Sequence, residues 1–196
     1  MKNKDVLILA IGEEAQDIVN VTYQDNSGLS YLALDNEKSV INTNNDKKIW
    51  FNNMKFQKNK YDLEDYKDIL LNRASNFKNI ISKFKNIIVV YYLGEKYSSD
   101  TLFEVIEYLK LLKLKYDIFA VKALTCDGAK AKENSLKSLE KLSSTGFLSS
   151  NNFFIFDGDE ICKDIKSKGI LSSHKIIDKK ASEILKMIME MRMQKE

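Results

Sequence analysis

Three consecutive strand-turn-helix units between Asn86 and Glu160 constrain the fold of this chain more than any other feature of its sequence. Each unit opens with a short apolar run that leads into a turn and then into a new element. The runs begin at Ile87, Ile118 and Phe153. Parallel strands need long crossover connections and are buried on both faces, so this alternation predicts a parallel sheet covered by helices.

A further β-α-β unit opens the chain. An apolar run over Asp5–Ile11 ends at Gly12, a helix is predicted over Glu14–Tyr23, and a strand is predicted over Leu29–Leu34. Right-handed crossovers would place helices on both faces of the sheet. The predicted fold class is therefore α/β: a three-layer, Rossmann-like, mostly parallel sheet. With 196 residues and no linker rich in Gly, Ser or Pro, residues 1–196 are expected to form a single domain.

The last predicted element is a helix over Ile176–Met193, which is apolar on several sides and is expected to be covered on more than one face. One interpretation is a helix that closes the core, with flexible Met side chains filling gaps. The other is a surface for a partner or for self-association. The side chains considered for that surface are Ile177, Ile184, Ile188 and Met191. A second long helix is predicted over Leu63–Phe84.

Composition argues against several classes of partner. The formal net charge is only +3, which does not predict strong binding to duplex DNA or to an anionic membrane. Arginine, whose planar fork reads guanine edges, occurs only at Arg73 and Arg192. The apolar run near the N-terminus is far shorter than the roughly 20 residues that cross a bilayer. We therefore expect no nucleic-acid partner and no membrane span.

Cysteine and histidine usage points to no catalytic or metal centre at this stage. Cys126 and Cys162 have neither metal-ligand spacing nor a disulfide framework, so a reduced, cytoplasmic location is expected. His174 is the only histidine, and no hydrolase-type nucleophile pattern lies near it. No catalytic residue and no metal ligand is therefore assigned.

Several strings resemble the N-terminal nucleotide-binding domain of the tubulin/FtsZ superfamily, the cell-division GTPase FtsZ more than tubulin. They are VLILAIGEEAQDIVN, LSYLALDNEKSV and IIVVYYLGEKYSSDTLFEVIEYLK, followed by the stretch around Asp127 and the last predicted helix. The resemblance spans nearly the whole chain. It implies the superfamily's Rossmann-like sheet, with the first strand central, and a core helix after the last strand.

The chain departs from the family at the loops that bind nucleotide. Only Gly12 remains of the first glycine-rich loop, and Leu93–Ser99 stands where the family has a Gly-Gly-Gly-Thr-Gly-Thr-Gly string. The third loop would fall at Phe56–Lys60, which has no glycine, and the acid that reads guanine would align near Ile176. The chain also stops at Glu196, so the second domain and the loop that completes hydrolysis are expected to be missing.

Charge at these loops opposes nucleotide binding. Glycine turns allow several N–H groups to approach one phosphate, whereas Glu13, Glu14 and Glu95 add like charge there. A like-charge pair at ~4 Å and an effective dielectric of ~20 costs about 4 kcal/mol. Lys96 adds one positive charge, which is too little to reverse the balance.

The resemblance assigns a vestigial nucleotide pocket. Asp127 corresponds to a loop that meets the ribose in the family, although a tight turn at Asp127-Gly128 explains the residue equally well. Ser98 starts a predicted helix and also fits an N-cap. The predicted pocket consists of Gly12, Gly94, Ser98, Asp127 and Asp157.

Acids that follow predicted strands leave one more alternative open. They are Glu13, Asp35, Asp157 and Asp159. A Mg²⁺ or Ca²⁺ site built from their oxygens is one interpretation. Helix caps and solvated turns are the other, and the commoner, interpretation of such acids.

Three hypotheses about function follow. The first is a non-catalytic FtsZ-like domain without a cofactor, which acts through self-association or with an FtsZ-like filament protein in cell division or filament assembly. The second is a GTP-binding protein or GTPase whose atypical loops bind GTP or GDP with Mg²⁺. The third is an unrelated three-layer α/β protein, which a flavodoxin-like strand order would favour.

Overall fold

The computed structural model describes residues 6–25, 29–35, 48–50, 78–79, 81–95, 98–144, 153–161 and 170–193. The predicted helix over Leu63–Phe84 and the predicted loop at Phe56–Lys60 lie largely or wholly outside these ranges.

Six parallel strands form the central sheet of the described residues, in the order β3-β2-β1-β4-β5-β6. The strands are β1 Val6–Ile11, β2 Ser30–Asp35, β3 Lys48–Trp50, β4 Asn86–Tyr92, β5 Lys115–Val121 and β6 Phe153–Phe156. All six residues of β1 are buried, and β4 is buried from Ile87 onward. Side chains on both faces of these strands are buried on folding, and each large apolar side chain contributes about 1.5–3 kcal/mol to stability. Burial on both faces is why the sequence reads as unbroken apolar runs.

The strand order separates this sheet from a flavodoxin-like one. β1 lies inside the sheet, between β2 and β4, and β3 pairs with β2. The order is that of the Rossmann fold, whereas a flavodoxin-like order would place β3 next to β1. The predicted Rossmann-like parallel sheet is therefore confirmed.

Helices cover both faces of the sheet, which confirms the predicted three layers. They are α1 Glu13–Asp25, α2 Ser98–Leu111, α3 Ala129–Ser144, the one-turn α4 Gly158–Ile161 and α5 Ile170–Met193. α1 and α5 share one apolar core with one face of the sheet, which includes Ile8 and Ile88. α2 and α3 share the other core with the opposite face, which includes Leu9 and Val89.

Helix α5 differs from its prediction in two respects. It begins at Ile170 rather than Ile176, because buried Ser173 and half-buried His174 are held by the rest of the fold although serine is a weak helix former. Ile177 and Ile188 are 3% and 2% exposed and belong to the chain's own core. Their assignment to a partner surface is therefore wrong.

The outer side of α5 remains exposed in part. Ile184 packs partly against the core, whereas Met187 is 62% and Met191 44% exposed. All four predicted contact residues are described, and Met191 alone among them has an exposed side chain. None of the described helices is long and apolar enough to cross a membrane.

Two polar contacts fix α5 in place. The Thr22 hydroxyl donates to the Ile18 carbonyl and accepts a hydrogen bond from Ser182 of α5 at 3.0 Å, in a buried position. Arg192 donates two hydrogen bonds to the buried Asp117 of β5, at 2.5 and 2.6 Å. The helix is thus attached to α1 along its length and to the sheet near its end.

Candidate functional site

The candidate site lies at the carboxyl ends of the strands, where β1, β4 and β5 run into loops. The strand order reverses between β1 and β4, and in open α/β sheets ligands bind at such a point. The loops there contain Gly12 after β1, Gly94 after β4 and Asp127 after β5. These three predicted pocket residues lie close to the N-terminal turns of α1 and α5, and Asp157, the predicted pocket residue after β6, lies further along the same edge.

Gly12 occupies a position that only glycine takes without strain. Its φ is +89°, and its N–H donates to the Leu34 carbonyl at 3.0 Å. A Cβ at this position would overlap the carboxylate of Glu95. Gly12 thus lets the chain turn from β1 into α1 and lets a side chain approach the turn closely.

The carboxylate of Glu95 occupies the N-terminus of α1. Its Oε1 accepts a hydrogen bond from the backbone N–H of Glu14 at 3.2 Å. A helix N-terminus offers unpaired N–H groups and a positive dipole end, which attract an anion. In this chain the anion is the protein's own carboxylate, supplied by the loop that follows β4.

Packing requires a glycine at position 94. A Cβ at Gly94 would lie 2.5 Å from the ring of Tyr92. Its carbonyl accepts a hydrogen bond from the Asn134 side chain of α3 at 3.0 Å. The glycine therefore makes room for the aromatic ring that ends β4.

Asp127 is the centre of a polar network at this edge. The hydroxyl group of Tyr92 donates a hydrogen bond to Oδ2 of Asp127. The same oxygen accepts a hydrogen bond from the Leu124 N–H at 2.7 Å. The Nε2 atom of His174 lies 2.8 Å from Oδ1. Burial favours the protonated acid, but the hydrogen bonds from His174, Tyr92 and Leu124 outweigh it and lower the pKa of Asp127.

His174 lies between two carboxylates. Asp127 contacts its Nε2, and Oε2 of Glu14 lies 3.5 Å from its Nδ1. Hydrogen bonds to Asp127 and then to Glu14 raise the pKa of His174 to about 10. The imidazole is therefore a cation at neutral pH and offsets part of the surrounding negative charge.

Asp178 of α5 lies near the acids of α1 on the same side. Burial, followed by the charges of Glu14 and Asp17, raises the pKa of Asp178 to about 7. Burial, Glu14 and Glu13 raise the pKa of Asp17 as well. The edge of the sheet thus concentrates carboxylates, as the acids in the loops predict.

Asp157, which follows β6, has polar contacts of its own. Oδ1 of Asp157 accepts from the N–H groups of Asp159 and Glu160 and caps α4, while its Oδ2 pairs with Lys122. Asp159 accepts from the N–H and hydroxyl of Thr125. The contacts of Asp157 are those expected of an acid that caps a helix. Ser98 begins α2, and its side chain is outside the described set.

Sequence reasoning missed the contacts that join these loops. The sequence places Tyr92 in an apolar strand and His174 just before the predicted helix, and it assigns a polar role to neither residue. Both assignments concern residues far from Asp127 along the chain, and only packing brings them together. The one available signal was that His174 is the sole histidine.

Comparison with solved structures identifies the fold. The chain is similar to TubZ of Clostridium botulinum phage c-st, with a TM-score of 0.64 and 16% identity over 97% of this chain and 61% of that one. For an FtsZ dimer of M. jannaschii the TM-score is 0.68, with 13% identity over 92% of this chain and 52% of that one. For CetZ of Methanosaeta thermophila it is 0.63, with 16% identity over 97% and 54%.

These likenesses are structural. No family model matches the sequence, and comparison with curated proteins gives no match either. The chain spans 52% to 61% of the length of the three structures named above. The resemblance seen in the sequence is thus confirmed at the level of fold: the chain has the Rossmann-like fold of these TubZ, FtsZ and CetZ structures.

Proposed function

We propose that this chain is a non-catalytic FtsZ-like domain that acts through protein association, with a second copy of itself or with an FtsZ-like filament protein, in filament assembly or cell division. The observation that carries the proposal is the carboxylate of Glu95 at the N-terminus of α1. A phosphate group would need the same N–H groups that this carboxylate and its neighbours engage.

Two backbone donors of the first loop are already used within the chain. The Gly12 N–H donates to Leu34 and the Glu14 N–H donates to Glu95. A phosphate that entered here would have to displace Glu95 and tolerate the acids of the first turn of α1. Each like-charge contact left at ~4 Å opposes binding by about 4 kcal/mol at an effective dielectric of ~20.

The polar groups around Asp127, in the other part of the predicted pocket, are also hydrogen-bonded within the chain. The polar groups of Tyr92, Asp127 and His174 bond to one another. A ribose or base that used Asp127 would have to exchange contacts with a charged imidazole and a buried hydroxyl. Such an exchange loses paired polar groups, which cost about 1–3 kcal/mol each when left unsatisfied.

Association is the property that similar structures suggest for the domain. These structures include an FtsZ dimer of M. jannaschii and a protofilament of TubZ from Bacteriophage PhiKZ. In this chain the exposed side of α5 offers Met187 and Met191, with Ile184 partly buried beside them. We place contact with a second copy on these flexible apolar side chains.

Sedimentation velocity over a concentration series tests this proposal. The wild-type chain is expected to sediment as a species larger than a monomer, and Met187→Glu with Met191→Glu should shift it toward the monomer. Leu136→Glu is the matched control, because Leu136 is an exposed apolar residue of α3, on the other face of the sheet. A strict monomer that also fails to co-sediment with an FtsZ-like filament would contradict the proposal.

A GTP-binding protein or GTPase is the second candidate, and Gly12 favours it. This glycine has a positive φ at the turn after β1, at the point where the strand order reverses. In this alternative Glu95 moves aside, Mg²⁺ screens the acids, and Gly12→Val abolishes nucleotide binding. Unchanged binding by that variant would count against the alternative.

A further inference from the structure

Three side chains with different metal-binding atoms converge beside α5. The Sγ atom of Cys126, a carboxylate oxygen of Asp127 and a ring nitrogen of His174 all lie within 4.8 Å of one another. Asp127 Oδ1 lies 2.8 Å from His174 Nε2 and 3.7 Å from Cys126 Sγ. Ligand atoms about 2.0–2.3 Å from a tetrahedral ion lie roughly 3.3–3.7 Å apart. The separation of Cys126 from Asp127 fits this spacing directly, whereas an ion between Asp127 and His174 would replace their hydrogen bond and move the two atoms slightly apart.

We propose that Cys126, Asp127 and His174 form a binding site for a zinc-class divalent cation. A thiolate, an imidazole and a carboxylate are the ligand types that Zn²⁺ takes in proteins, whereas Mg²⁺ and Ca²⁺ prefer oxygen alone. Three protein ligands leave a fourth position for water or another small ligand. This inference goes beyond the proposed function and does not depend on it.

The groups around the three ligands already have the arrangement of an outer shell. Oε2 of Glu14 lies 3.5 Å from Nδ1 of His174, the ring nitrogen that faces away from Asp127. A carboxylate in this place holds a proton on Nδ1, and a metal at Nε2 would displace the proton that Nε2 shares with Asp127 in the metal-free chain. Metal-bound histidines in proteins almost always have such a partner.

Asp127 is oriented in the same way. Its Oδ2 accepts hydrogen bonds from the Tyr92 hydroxyl and the Leu124 N–H, so Oδ1 is the oxygen that faces Cys126 and His174. The Asp127 side chain is 8% exposed, which keeps this orientation fixed. Both a carboxylate and an imidazole are thus held with one atom each directed to the same place.

The charge around the site also suits a dication. Glu14 and Asp17 of α1 and Asp178 of α5 interact electrostatically with one another on this side of the molecule. A bound divalent ion would reduce the repulsion among these acids. A simple ion pair would explain why Asp127 and His174 lie together but not why Cys126 lies beside them. A bound metal explains the position of all three side chains.

Cobalt titration of the full chain tests the proposal, since Co²⁺ reports its ligands by absorption. After treatment with EDTA, the wild-type chain should bind one Co²⁺, with a near-ultraviolet thiolate-to-cobalt band that Zn²⁺ abolishes by displacement. Cys126→Ser should lose the band and His174→Ala should lose binding. Glu14→Gln should weaken binding about 10–100-fold, because it removes the partner of Nδ1.

Cys162→Ser is the matched control and should keep the band. Far-ultraviolet circular dichroism of each variant confirms that loss of binding is not loss of folding. The proposal is overturned if wild-type chain binds cobalt without a thiolate band, or if it binds neither Co²⁺ nor Zn²⁺ at micromolar concentration. It is also overturned if the band is lost in Cys162→Ser and kept in Cys126→Ser.

Discussion

The carboxylate of Glu95 and the backbone N–H of Glu14 are joined by a 3.2 Å hydrogen bond between the loop after β4 and the first turn of α1. This contact places an internal anion at a helix N-terminus beside Gly12. It links the loops at the two strands where the sheet order reverses. The first predictions therefore concern this contact.

Replacement of Glu95 should destabilise the chain modestly. Glu95→Ala removes the acceptor for the Glu14 N–H and the anion at the helix dipole, a loss of about 0.5–2 kcal/mol. Glu107→Ala is the control, because that exposed acid pairs with Lys110 only at the surface and should change stability by less than about 0.5 kcal/mol. Urea unfolding of both variants measures the difference, and equal losses would contradict the role given to Glu95.

Gly12 and Gly128 form a matched pair that separates backbone strain from crowding. Their φ angles are +89° and +90°, but a Cβ at Gly128 meets no atom within 4 Å. Gly128→Ala should cost about 1–3 kcal/mol from strain alone. Gly12→Ala should cost more, because the methyl group also displaces Glu95. If chemical denaturation gave the same loss of unfolding free energy for both variants, Glu95 would not crowd the turn at Gly12.

The ion pair between Asp117 and Arg192 should be the most sensitive polar contact to single substitution. Arg192→Ala leaves a 3% exposed carboxylate without its bidentate partner and should cost about 3–5 kcal/mol. Asp117→Leu combined with Arg192→Met should recover most of that loss, because no buried charge remains. Thermal or urea unfolding checks both variants. A loss no larger for Arg192→Ala than for the double variant would contradict this account.

Stability of the metal-free chain should fall as the pH rises above neutrality. The folded pKa of His174 is about 10 against 6.5 for the free side chain, so its contribution is fully present below 6.5 and is lost as the pH approaches 10. The expected slope is at most about 1.4 kcal/mol per pH unit between about pH 7 and about pH 9. His174→Gln should flatten this slope in unfolding measurements with EDTA present. An unchanged slope would assign the pH dependence to other groups.

Local pattern determined much of the fold, and long-range packing determined the site. Strand β4 begins at Asn86, one residue before the predicted apolar run, and helix α2 begins at Ser98, where a helix start is predicted. Both agree because burial on two faces or on one stripe produces a periodicity that the sequence shows. The contact of Glu95 with α1 and the contact of Asp127 with His174 join segments distant in sequence. No rule of residue spacing predicts such contacts. The sequence also does not predict that α5 begins early enough to include His174, because the serines before this histidine are weak helix formers.

Titration with a fluorescent GTP analogue, followed by anisotropy with and without Mg²⁺, tests the central claim most directly. With Glu95 on the N-terminus of α1 and Asp127 bound to His174, we predict no rise in anisotropy up to millimolar nucleotide in either condition. Micromolar binding that competes with unlabelled GTP would contradict the non-catalytic account and would favour a GTP-binding protein whose acidic loops rearrange around the nucleotide.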